Sequence, residues 1–142
     1  MQDHFLENYF KIEKAYRKFF WDEMEAYQLS PNEILVILFL SRSGEDGNTA
    51  RDIARFEGVS KALVARSVEG LAERGYLTME RDASDKRMYH LHLTEDCGEL
   101  VARIGEKQRI FFERLLDGIP EEHIQITKQT LERFVGNVSG VW

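Results

Sequence analysis

Apolar residues recur at spacings of three and four through Phe5, Tyr9, Ile12, Tyr16 and Phe19, with Trp21, Met24 and Tyr27 continuing the series. That period predicts a long amphipathic helix ending near Gln28. Ser30, Pro31 and Glu33 open a second helix, with Ser30 as N-cap and Pro31 in the first turn. Its run Ile34–Leu40 is apolar nearly all round, so this helix is expected to be buried on most sides. Gly44-Glu45-Asp46-Gly47-Asn48 reads as a turn-rich loop.

Thr49 followed by Asp52 has the form of a capping box, with Asp in place of the usual Glu. Ile53, Ala54 and Phe56 are the expected buried stripe of a short helix, and Gly58 suits its C-terminus. Ser60 caps the next helix, in which Leu63, Val64, Val68 (or Ser67) and Leu71 repeat at helical spacing until Gly75. Leu77–Asp82 and Met88–Leu93 then alternate with period two on either side of a polar loop, which predicts a hairpin. Thr94, with Glu95 and Asp96, is expected to cap a helix striped by Leu100, Val101, Ile104, Phe111, Leu115 and Leu116. Gly118-Ile119-Pro120 breaks it, and a last helix uses Ile124, Leu131, Phe134 and Val138. No repeat, low-complexity tract or linker interrupts the series, so 1–142 reads as one mainly α domain with a small β-hairpin.

Residues 49–74 have the order of a helix-turn-helix: Thr49 to Phe56, the turn Gly58-Val59-Ser60, and Lys61 to Arg74. Such a motif places its second helix in a DNA major groove, and an adjacent hairpin can put a basic side chain into the neighbouring groove. If Leu63, Val64, Val68 and Leu71 face inward, then Lys61, Ala62, Ala65 and Arg66 point outward on the first two turns, next to Ser60. Arg66 is suited either to bidentate recognition of guanine or to a phosphate, and Lys61 to a phosphate. In the hairpin loop, Arg87 is expected to enter the minor groove, Lys86 to contact phosphate and Asp85 to position the loop or orient an arginine.

Net charge changes this picture less than it first suggests. The chain is acidic, at −6. Eight bases and seven acids lie between Arg51 and Arg87, a net +1, whereas the remainder carries eleven bases and eighteen acids, a net −7. Phosphate attraction follows local potential, screened beyond about 8–10 Å at physiological salt. A near-neutral reading segment on an acidic body is therefore compatible with DNA. The 142 residues suffice for a core without disulfides. The single cysteine, Cys97, fits a reducing cytoplasm, and the acids among the first apolar residues argue against a signal peptide. No apolar run is long enough to span a bilayer, so no membrane partner is expected.

The sequence resembles the MarR (multiple antibiotic resistance regulator) family of winged helix-turn-helix transcription factors, over essentially the whole chain. Val59-Ser60 through Leu71, then Gly75-Tyr76-Leu77, resembles the family's recognition helix and its exit. Asp85-Lys86-Arg87 followed by Leu93-Thr94 matches its wing signature. The resemblance implies a homodimer knotted together by first and last helices, bound to a pseudopalindromic operator in double-stranded DNA. In that arrangement residues 1–29 and 95–142 form the dimerisation layer and 30–94 the DNA-binding lobe. It further implies regulation of nearby genes, as a repressor, often relieved by small phenolic or lipophilic ligands. Two positions depart from the pattern: Ala65 stands where relatives often carry a hydroxyl residue, and Gly70 lies inside the recognition helix, where it costs roughly 0.8–1 kcal/mol relative to Ala.

Other chemistry is thin. Tyr16, Trp21 and Phe39 are plausible pocket residues, but aromatic stripes at helical spacing are mostly core, and no cofactor-binding or effector-binding residue is assigned. Cys97 lies near a helix start, which favours a thiolate, while Glu95, Asp96 and Glu99 oppose it. His90 and His92 share a strand face without a nearby Cys, which reads as solvated wing residues rather than a metal site. No nucleophile–base pair, paired carboxylates or Gly-rich phosphate loop stands out, so no enzyme and no cofactor is expected. The competing expectation is a winged helix turned to protein interaction without DNA binding, motivated by the acidity and by the alanines on the reading face.

Overall fold

The computed structural model describes residues 4–43 and 47–140, so the first three residues of the expected 44–48 loop lie outside the described part. Six helices and one hairpin follow in the order α1 (His4–Met24), α2 (Pro31–Arg42), α3 (Ala50–Glu57), α4 (Lys61–Glu73), β1 (Leu77–Arg81), β2 (Tyr89–Leu93), α5 (Gly98–Leu115) and α6 (Glu121–Val138). Short 3-10 turns occupy Glu25–Tyr27 and Glu95–Cys97. No helix among the described residues is long and apolar enough to cross a membrane. The chain divides into two compact units, one reaching Gln108 and the other starting at Arg109.

The first unit holds the core. Phe20 and Met24 of α1, Ile34, Val36, Ile37 and Leu40 of α2, Ile53 of α3 and Val64, Val68 and Leu71 of α4 are buried together with Leu77, Leu91, Cys97, Leu100 and Ile104. The apolar run in α2 is buried as its composition demanded. Farther toward its N-terminus α1 is different: Phe5, Leu6, Tyr9, Phe10 and Ile12 are exposed. The Glu25–Tyr27 turn closes on Gln28 in the left-handed region, φ 55°. Arg74, just past the end of α4, donates to the carbonyls of Tyr27 and Gln28 and stacks its guanidinium over the Tyr76 ring. Those carbonyls would otherwise be orphaned at a helix end.

Two reciprocal capping boxes set the helix starts. Ser30 Oγ accepts from Glu33 N while Glu33 Oε1 accepts from Ser30 N, and Thr49 and Asp52 repeat the arrangement at α3. Gly58 ends α3 at φ 66°, a conformation in which a side chain is strained. Gly70 has a packing reason: a Cβ there would sit 3.1 Å from Glu33 Oε2, the far oxygen of the α2 capping carboxylate.

Three expectations are corrected. Phe56 is not in the buried stripe of α3 but 78% exposed, resting edge-on against Phe39 with ring centroids 5.5 Å apart. At about 100° per residue, the arc between Ile53 and Ala54 leads to Glu57, not Phe56. Burial accordingly pushes the Glu57 carboxyl upward, with Arg42 opposing the shift. Leu63 is 39% exposed, and Ser67, donating to the Leu63 carbonyl at 2.9 Å, takes the inner position. Thr94 occupies an N-cap place, but its hydroxyl donates to the Gly75 carbonyl at 2.6 Å, which fastens the end of the hairpin to its start.

The strands pair antiparallel from Leu77↔Leu93 to Arg81↔Tyr89. Leu77, Met79 and Leu91 share one face of the hairpin, of which Leu77 and Leu91 are buried while Met79, paired with Leu91, is exposed. The segment before α3 meets the hairpin through an isolated antiparallel bridge, Thr49 to His90, with Leu91 N donating to Asn48 O at 3.0 Å. In the second unit, Leu116–Asp117 and Gly118, at φ 75°, turn the chain into α6. That helix has no buried residue and leaves Ile126, Leu131, Phe134, Val135 and Val138 exposed.

Candidate nucleic-acid interface

The helix-turn-helix delivers its second helix with the expected face outward. Ser60 Oγ accepts from Leu63 N at 3.2 Å and so starts α4, and Val64, Ser67, Val68 and Leu71 anchor it. Lys61, Ala62, Ala65 and Arg66 are exposed on the first two turns, joined by Leu63 on the flank. Neither Lys61 nor Arg66 has an ion-pair partner among the described residues, so both cations are available to an incoming anion. Leu63 was missed because its spacing from Leu71 fits the buried stripe, yet it lies about a quarter-turn from the centre of that stripe.

The loop between β1 and β2 is organised by carboxylates. Asp82 Oδ2 accepts from Ser84 N and Asp85 N, both at 2.8 Å, and the Asp82 amide donates to Met88 O at 2.8 Å. Asp85 Oδ1 in turn accepts from Arg87 N at 3.0 Å and from Arg87 Nε at 3.3 Å. Asp85 therefore aims Arg87, whose side chain is otherwise 92% exposed, and Lys86 is exposed beside it. In the stem, Arg81 donates to the Tyr89 hydroxyl at 2.7 Å with its guanidinium over that ring.

Asp82 was read only as one acid among several, although its position two residues before Ser84 is an Asx-turn signal. Hydrogen bonds from His90 and from the Ser84 and Asp85 amides hold its carboxyl down to about 2, so it is an anion and an acceptor at neutral pH.

His90 is not a solvated wing residue, whereas the His92 side chain stays 42% exposed. His92 Nε2 lies 3.3 Å from Glu80 Oε2, and His90 is tied on both ring nitrogens, to Asn48 and Asp82. No group of three or more potential ligands gathers as a metal site among the described residues. Cys97 is fully buried, and burial raises its thiol. A raised, shielded thiol is a poor redox sensor. Iodoacetamide is expected to label Cys97 slowly in the folded protein and promptly in denaturant; prompt labelling of the native chain would contradict its burial.

A cavity of about 510 Å³ opens in the first unit, lined by Tyr16, Phe20, Trp21, Ile34, Leu38 and Arg42 among others. Tyr16 and Trp21 are thus placed together. Phe39 lines a separate opening of about 460 Å³ with Phe56.

Residues 27–88 match the model of the MarR family. A Bacillus subtilis (strain 168) protein, YpoP, described as an uncharacterised HTH-type transcriptional regulator, is 27% identical over 90 residues. The match covers 63% of this chain and 62% of that protein. The solved transcriptional regulator PA3341 is 28% identical with a TM-score of 0.83, covering 96% of this chain and 98% of that one. A Listeria monocytogenes MarR-family regulator solved with 26-mer DNA has a TM-score of 0.87 at 17% identity, over 100% of this chain and 93% of that one, a likeness of fold.

Proposed function

We propose that the chain is a member of the MarR family of winged helix-turn-helix transcription factors, whose model residues 27–88 match, and that it is a sequence-specific DNA-binding transcriptional regulator. In this reading it acts as a repressor, binding a pseudopalindromic operator as a homodimer in the cytoplasm. The observation that carries it is the pairing of two outward cationic elements: the start of α4, with Lys61 and Arg66, and a loop in which Asp85 holds Arg87 outward. α4 would read the major groove through Ser60, Lys61, Ala62, Leu63, Ala65 and Arg66, with Leu63 offering a thymine methyl an apolar contact. Arg87 would enter the minor groove, and Lys86 would hold a phosphate. The solved Listeria relative was crystallised with DNA, which supports the same use of this fold.

Homodimerisation is supported by the apolar side chains left exposed on α1 and, separately, on α6. Single exposed hydrophobics are ordinary, but several at helical spacing along one helix suit an association surface. A dimer sets two recognition helices about one DNA turn apart, roughly 34–36 Å. The cavity beside Tyr16 and Trp21 falls within the usual range for small-ligand sites, about 300–1,000 Å³. A small phenolic or lipophilic effector bound there would release DNA only to the extent that it prefers the unbound conformation.

Anisotropy titration against the upstream DNA of its own gene, at several salt concentrations, tests the reading. With about six phosphates neutralised across two protomers, log K is expected to fall against log salt with a slope of roughly −5. A flat response, or equal affinity for scrambled sequence, would refute it and favour the protein-interaction alternative.

A further inference from the structure

One imidazole joins the two halves of the proposed reading surface. His90 lies on β2 opposite Glu80, half-buried, with Nδ1 2.7 Å from Asn48 Oδ1 and Nε2 2.7 Å from Asp82 Oδ1. Asn48 is buried and sits immediately before Thr49, the cap of α3, and its backbone carbonyl receives Leu91 N. Asp82 is the residue whose other oxygen gathers the Ser84 and Asp85 amides, and so shapes the turn that aims Arg87. The chain of contacts therefore runs from the first helix of the helix-turn-helix, through a single ring, to the loop that carries the wing arginine.

We propose that His90 is a positioning residue for DNA binding: its doubly protonated ring clamps the wing to the start of α3 and fixes the angle at which the two reading elements meet adjacent grooves. The inference rests on the DNA-binding reading above and adds a residue that need not touch DNA. The chemistry follows from what each neighbour offers. An ionised Asp82 can only accept, so Nε2 must carry a proton. The Asn48 atom placed against Nδ1 is the side-chain carbonyl oxygen, also an acceptor, and in that orientation of the amide Nδ1 carries a proton too.

Loss of either proton turns a 2.7 Å hydrogen bond into a contact between lone pairs. The Asn48 amide can recover it only by turning over. Other charged groups face the ring from every adjoining element. Asp52, Arg51 and Arg55 of α3 line the same surface depression with Met88, while Glu80 and His92 flank the ring on the hairpin. Asp82, Asp52 and Glu80 favour the charged ring, and Arg51, Arg55 and a protonated His92 oppose it.

A clamp of this kind makes operator affinity depend on pH in one direction. The clamp is complete while the ring carries both protons and weakens as pH rises and one of them is lost. Wild-type affinity is expected to fall about tenfold between pH 5.5 and 8, the effect of losing one charge-assisted hydrogen bond.

The test compares wild type, His90→Gln and His92→Gln by anisotropy on the same operator from pH 5.5 to 8, with thermal melts confirming that each variant folds. Support for the clamp would be a flat profile for His90→Gln, at the wild-type high-pH affinity, with the wild-type slope retained in His92→Gln. Nitrogen-15 NMR of histidine-labelled free protein should show both His90 ring nitrogens protonated at the pH of tightest binding. A wild-type affinity and slope in His90→Gln, or a neutral His90 ring at that pH, overturns the proposal. Absence of any DNA binding by wild type would instead refute the regulator reading, and the NMR result would still decide the state of the clamp.

Discussion

Arg87→Ala is expected to weaken operator binding by about 10- to 100-fold while leaving the melting temperature and the dimer unchanged. Among the described residues the side chain hydrogen-bonds only the carboxylate of Asp85, at 3.3 Å, and it is 92% exposed. An exposed ion pair of that kind contributes little to folding, so truncation should register in DNA binding and hardly at all in stability. Arg66→Ala belongs with it. Arg66 is exposed on the second turn of α4 without an ion-pair partner among the described residues, and a bidentate guanine contact is worth a comparable factor. Titration of each variant against operator and scrambled DNA separates their roles. Loss confined to the operator identifies a base reader, whereas equal loss on both identifies a phosphate contact. Wild-type affinity in both variants would remove these assignments.

Leu71→Ala should have the largest effect on stability. Leu71 is wholly buried on the inner face of α4, in the same cluster as Ile37 and Ile53. A Leu→Ala change at such a site removes the transfer term and leaves a cavity, about 3 kcal/mol together. That is a large fraction of the roughly 5–15 kcal/mol that holds a domain folded. A fall in melting temperature of roughly 10 °C at fixed protein concentration is expected. Leu63→Ala, on the same helix but 39% exposed, should change stability by no more than about 0.5 kcal/mol. Equal destabilisation by the two substitutions would contradict the orientation of α4, and with it the face assigned to DNA.

Much of this architecture was readable from local signals. Ser30 with Glu33 and Thr49 with Asp52 marked helix starts because a capping box is written within four residues, and both boxes are formed. Gly58 and Gly75 marked helix ends because both sit at positive φ. The hairpin and the Asp85–Arg87 contact were likewise visible, being short-range.

The misreadings have two causes. In an eight-residue helix such as α3 the phase of the apolar stripe rests on two or three residues, so Phe56 was assigned inward and Glu57 was overlooked. The second cause is sequence distance. The bond between His90 and Asn48 joins residues 42 positions apart, and those from Arg74 reach back 46 and 47 positions. No periodicity encodes such contacts; they exist only once α3, α4 and the hairpin are packed. His90 therefore read as a solvated wing residue, and Asp82 as one acid in a loop, although together they organise the wing.

The account stands on a spatial claim: two copies of α4 and two wings engage one duplex at matched, repeated positions. Hydroxyl-radical footprinting of the operator bound by the protein examines that claim directly. The account predicts two protected patches centred about one helical turn apart, each flanked by protection in the adjacent minor groove, with the flanking protection lost in Arg87→Ala. A single patch, or protection spread evenly along the fragment, would contradict it.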